Sequence, residues 1–113
     1  MTDKEKAIIK NIKSRVRKYY GKWVVKTNDV NWAIAKAMYG EKYGAIDGWH
    51  TMTKEESDIV RTIRDKMIEK GLVRYTIQPH AAYKKAYGKI WYDPCRMVIE
   101  KRFWDLYNQV KEA

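Results

Sequence analysis

Residues 53–92 constrain the fold more than any other stretch of the chain. TKEESDIVRTIRDKMIEKGLV reads as a helix, and the segment that follows, RYTIQPHAAYKKAYGKIWY, reads as a two-stranded ribbon. Thr53-x-x-Glu56 has the form of a capping box, in which hydroxyl and carboxylate each satisfy an amide that the first turn leaves open. Ile59, Val60, Ile63 and Met67 recur at helical spacing and are expected to form the buried stripe. Gly71 is expected to stop the helix, because glycine adopts the left-handed conformation of that position without a Cβ clash. Residues 72–77 are rich in strand formers, and residues 89–92 are their expected partner. Pro79 falls just past the first strand, where a missing N–H does little harm.

The rest of the chain divides by the same signals. Residues 1–20 read as a basic N-terminal helix, with Thr2-x-x-Glu5 as a second capping box. Ile8, Ile12, Val16 and Tyr19 form its expected core stripe, and Gly21 ends it. Residues 22–26 (KWVVK) read as a short strand. Thr27 or Asn28 then caps a second helix with Asp29 in its first turn. Val30, Ala33, Ile34, Ala37 and Met38 make the apolar face of that helix. Gly40, Gly44 and Gly48 interrupt the pattern and predict a loop over residues 39–52. Asp93-Pro94 reads as a cap followed by proline at the first helical position. It opens a C-terminal helix over residues 93–111, with Ile99, Phe103, Leu106 and Val110 on one face. The expected order is helix, strand, helix, helix, strand, strand, helix. That is a mainly α, α+β arrangement with a small antiparallel hairpin. A chain of 113 residues holds one such domain and one modest core.

Charge is where composition enters. The net charge of +10 favours polyanionic partners. It is also concentrated. Residues 1–26 carry nine basic and two acidic side chains, and residues 72–92 carry four basic and none acidic. Lys6, Lys10, Lys13 and Arg17 are spaced to form a stripe on the first helix opposite Ile8, Ile12 and Val16. In the ribbon, Lys84, Lys85 and Lys89 are interleaved with Tyr83 and Tyr87. Lysine neutralises phosphate, and tyrosine bonds phosphate or stacks on a base. On the third helix, Lys54, Ser57 and Arg61 near the N-terminal end are the candidates for base or phosphate contact. The same face carries Asp58, Asp65 and Glu69. Each feature has a plainer reading. A charged stripe is often a solvated face, lysines in a ribbon turn discourage edge pairing, and the third helix can be an ordinary charge-balanced one.

The chain resembles the winged helix–turn–helix family. WVVKTNDVNWAIAKAM is similar to that family's first strand and scaffold helix. IVRTIRDKMIEKGLVRYTI is similar to its recognition helix running into the wing through Lys70-Gly71-Leu72-Val73. The likeness spans roughly residues 5–92. It implies residues 27–71 as the helix–turn–helix, residues 72–92 as the wing, and double-stranded DNA as partner. It also implies a role as a small transcriptional regulator. One departure is clear. About fourteen residues separate the second and third helices, where a turn of three or four is usual.

Other classes find less support. His50, His80 and Cys95 lack metal-ligand spacing, and Asp47-Gly48 reads as a turn rather than a catalytic acid. No nucleophile elbow or phosphate-cradling loop is present, so neither an enzyme nor a cofactor is expected. No apolar run approaches the roughly eighteen residues of a membrane span, and the charged start is unlike a signal peptide. The lone Cys95 fits a reducing interior, so a cytoplasmic location is expected. Trp104 and Tyr107 lie off the apolar stripe of the last helix. They predict either packing against the first helix or a homodimer contact. The competing function classes are a protein-interaction or inhibitor module with an acidic protein partner, and an RNA or single-strand binder that uses the wing aromatics.

Overall fold

The computed structural model describes residues 1–19, 21–40, 52–78 and 91–111 (for residues 77–78 and 91–95, the backbone only). Helix α1, Asp3–Lys13, starts from the expected capping box. The Glu5 amide donates to Thr2 Oγ1 at 3.1 Å, and the Thr2 amide donates back to Glu5 Oε1. Hydrogen bonds from the Thr2 side chain, and then from its amide, stabilise the carboxylate and hold the Glu5 pKa below its ordinary value. Ile8, Ile9 and Ile12 face the core, and Asn11 Nδ2 donates to the Ala33 carbonyl at 3.2 Å.

The first helix is shorter than its sequence pattern predicts. It ends at Lys13 rather than near residue 20, because Ser14 turns its hydroxyl back onto the Asn11 carbonyl (2.6 Å) and the chain tightens. Arg17–Tyr19 is strand β1, which turns at Gly21 (φ +77°) and pairs antiparallel with β2, Lys22–Lys26. Val16 is still buried, but it reaches the core from the turn and not from the helix. A glycine at positive φ and a run of β-branched and aromatic residues outweigh an apolar period that continues by coincidence.

Helix α2, Thr27–Tyr39, follows β2 directly. Lys26 occupies its N-cap and makes no side-chain capping bond, so neither Thr27 nor Asn28 is the cap. Its middle is buried all round: Val30, Asn31, Trp32, Ala33, Ile34 and Ala35. That is the signature of a central helix, and α1, α3, β2 and β4 all pack on it. Helix α3, Lys54–Glu69, opens with the Thr53–Glu56 capping box. It closes at Gly71 (φ +73°), with Leu72 N–H bonded to the Met67 carbonyl and Gly71 N–H to that of Ile68, both at 3.0 Å. Val60 and Met67 are buried and Ile63 is half-buried, but Ile59 is 44% exposed and does not belong to the core stripe.

Strand β3, Val73–Gln78, pairs antiparallel with β4, Trp91–Ile99. Pairing passes from Tyr75↔Met97 to Thr76↔Asp93, so residues 94–96 bulge out of the β3 ladder. Asp93-Pro94 therefore does not open a helix. Proline is tolerated there because the bulge asks no ladder bond of its missing N–H. The last helix, α4, is Lys101–Lys111, with Phe103 and Val110 buried and Leu106 half-buried. The Glu100 amide bonded to the Leu72 carbonyl, an Arg74–Glu100 ion pair and an Arg102 bond to the Lys70 carbonyl (2.8 Å) tie its start to the α3–β3 junction.

The architecture is α+β, mainly helical, with one four-stranded antiparallel sheet in the order β1-β2-β4-β3. Among the described residues the sheet has four strands, one more than the sequence pattern predicts. Helix α1 packs on α2 and α4.

Candidate nucleic-acid interface

Lys54, Ser57 and Arg61 lie on α3 at spacings of three and four, which puts them on one side of the helix. Lys54 and Arg61 are exposed and Ser57 is half-buried. Glu56 is engaged with the Thr53 amide at 3.0 Å, so its carboxylate serves the cap. Thr62 donates its hydroxyl to the Asp58 carbonyl at 2.9 Å. Asp58, Asp65 and Glu69 are exposed along the same helix, as is Ile59. Cations suited to phosphate are therefore interleaved with carboxylates, and only the N-terminal half combines Lys54 and Arg61 with the favourable end of the helix dipole.

A part-buried hydrogen bond crosses the contact between α2 and α3. Arg64 Nη1 donates to Asn31 Oδ1 at 2.8 Å across the α2–α3 contact. Asn31 is 3% exposed, and Arg64 Nε has no partner among the described residues.

The expected stripe on α1 does not persist as one unit. Lys10 is exposed, Lys6 and Lys13 are half-buried, and Arg17 belongs to β1, where its guanidinium donates to the Val16 carbonyl at 2.9 Å. The start of α1 meets the far end of α3. Thr2, Lys4, Ile8, Lys66, Met67 and Lys70 are among the residues lining a groove of about 720 Å³. At roughly 1.5 Å per residue, Lys66 lies about 18 Å along the helix from Lys54. The start of α1, with Lys4, thus lies toward the end of α3 opposite Lys54. Tyr83, Lys84, Lys85, Tyr87 and Lys89 lie outside the described residues, as do Asp47, His50 and His80.

A second cluster escaped the sequence reading. The Trp23 ring on β2 meets Trp104 of α4 edge-on, with centroids 6.0 Å apart and planes at 72°. Trp104 contacts Tyr107 (6.2 Å) and Phe103 (5.7 Å), also edge-on. Three ammonium groups surround these rings. Lys13 and Lys111 lie over Tyr107 at 5.4 and 5.9 Å, and Lys18 lies over Trp23 at 5.5 Å. The apolar side of α4 formed by Trp104 and Tyr107 is thus partly covered by β2 and by Lys13 of α1. The available signal was the off-stripe pair Trp104 and Tyr107. Its partner Trp23 could not be assigned without the tertiary fold.

Among the described residues, no group of three or more His, Cys, Asp or Glu side chains is placed to hold a metal ion. No described helix is long and apolar enough to cross a membrane. No family model, curated protein or solved structure matches the chain.

Proposed function

We propose that this chain is a winged-helix DNA-binding protein, a small transcriptional regulator that presents the start of α3 and the β3–β4 ribbon to duplex DNA. The sheet order carries the reading. Strand β2 pairs with β4, β4 pairs with β3, and α2 and α3 fill the connection between β2 and β3. This order, from one helix to a second and on into a pair of antiparallel strands, supports a winged-helix plan. The net charge of +10 supports a polyanionic partner, and the Asn31–Arg64 bond supports a fixed presentation of α3. Lys54 at the α3 N-terminus and Arg61 about two turns on supply the contacts. The α1 cations contribute to the long-range field.

The Lys54→Ala/Arg61→Ala double variant is expected to bind duplex DNA about tenfold or more weakly, with an unchanged melting temperature, since each phosphate or base contact is worth about 1 kcal/mol or more. Electrophoretic mobility shift reads this directly. Wild-type affinity in the folded double variant would remove α3 from the interface.

A second reading is a protein-interaction or inhibitor module. Ile59 supports it, because a large apolar side chain stands exposed beside Asp58 and Thr62 in the middle of α3. That mixture suits a protein surface better than a phosphate backbone. Stoichiometric capture of one protein after nuclease treatment, abolished by Ile59→Asp, would favour it.

A further inference from the structure

We propose that Trp23, Trp104 and Tyr107, with Lys13, Lys18 and Lys111, form a stacking site for unpaired bases of single-stranded nucleic acid. The proposal rests on the reading that this chain binds nucleic acid, but it uses a different surface.

Trp23 is 46% exposed, although burial of so large a ring is strongly favourable. Its neighbour Trp104 and the next ring, Tyr107, are half-buried and continue the aromatic surface across α4. Between Lys13, Val16, Trp23 and Trp104 the surface opens into a recess of about 430 Å³, within the size range of small-ligand sites. The cations at this site come from three elements: Lys13 from α1, Lys18 from β1 and Lys111 from α4. Residues 17–26 hold four basic side chains and no carboxylate.

Ring faces and flexible ammonium groups are the two components of sequence-tolerant strand binding. Bases stack on the aromatics, and lysines track the phosphates. An exposed cation–π contact is weak, so a lysine can leave a ring for a phosphate as a base moves in. Duplex DNA cannot use the site in this way, because its bases are already stacked on one another. The site also stands apart from the proposed duplex face. β1 and β3 are opposite edges of the sheet, and the platform is built on the β1–β2 side.

The test is a fluorescence anisotropy titration with labelled oligo(dT) and with a labelled duplex, on wild type, Trp23→Ala, Trp23→Phe and Lys18→Ala, each checked for an unchanged melting temperature. Trp23→Ala is expected to weaken oligo(dT) binding about tenfold, in line with the loss of one base-stacking partner. Trp23→Phe should recover most of that loss, Lys18→Ala should weaken binding several-fold, and duplex affinity should hold in all three. Because Lys18 is a surface residue, its variant keeps the test valid if Trp23→Ala fails to fold. Oligo(dT) binding that is indifferent to both Trp23 and Lys18 overturns the stacking site. So does displacement of labelled oligo(dT) by polyglutamate as readily as by unlabelled oligo(dT) at equal charge concentration, which would show that charge alone is at work. Loss of duplex binding with Trp23-dependent oligo(dT) binding retained would reject the winged-helix reading and keep this one. Intact duplex binding without Trp23 dependence would do the reverse.

Discussion

Replacing Phe103 by alanine is expected to lower the unfolding free energy by about 3–5 kcal/mol. Phe103 is fully buried and ranks among the largest enclosed side chains. It sits in the first turn of α4, where its amide bonds the Glu100 carbonyl at 3.0 Å and its ring meets Trp104 edge-on. Truncation loses the transfer energy of the ring and leaves a cavity. The cavity cannot close easily, because Glu100 and Arg102 pin the start of α4 to Leu72 and Lys70. A domain of this size has only about 5–15 kcal/mol of net stability, so the variant should stand close to unfolding at ambient temperature. Urea denaturation followed by tryptophan fluorescence measures the change. A loss below about 1 kcal/mol would mean that α4 does not seal the core in solution.

Asn31→Leu is the second large effect, at about 2–3 kcal/mol. Leucine keeps asparagine's branching and heavy-atom count, but its methyl groups are bulkier than the amide, so some overpacking adds to the loss. The larger part of the cost is electrostatic. The Arg64 guanidinium would keep its charge in a half-buried position and lose the acceptor at 2.8 Å, while its Nε already lacks a partner among the described residues. Adding Arg64→Met should restore more than half of the loss, since removing both members of a part-buried polar pair is far cheaper than removing one. The four proteins form a double-mutant cycle, and its coupling energy isolates the bond. Asn31→Leu should also weaken duplex binding beyond its effect on the folded fraction, because the Asn31–Arg64 bond is part of the contact that holds α3 against α2. Additive stability losses in the double variant would contradict this account of the bond.

The local elements of the fold were largely legible in the residues. Both capping boxes, the Gly71 stop and the core positions Ile8, Ile12, Val30, Ile34, Val60, Met67, Phe103 and Val110 follow from spacing and end chemistry alone. What escaped detection depends on the tertiary fold. Val16 keeps the helical period of Ile8 and Ile12, yet it enters the core from a turn, so the pattern gave no sign that α1 ends at Lys13. A three-residue strand such as β1 is too short to show an alternation of its own. Pro94 carries the same local signal before a helix and inside a bulge, and only the pairing of β4 with two neighbours distinguishes them. For the candidate interface, spacing along α3 grouped Lys54, Ser57 and Arg61. The distance between that group and the α1 lysines is set by how helices pack, which periodicity does not encode. The Trp23–Trp104–Tyr107 surface draws on residues far apart in the chain for the same reason.

The most direct test of duplex recognition is the salt dependence of binding to a mixed-sequence duplex, measured by electrophoretic shift. If about four to six phosphates are neutralised, log K should fall linearly with log salt at a slope of about −4 to −5. An affinity that does not respond to salt, or no complex at low ionic strength, would contradict the account.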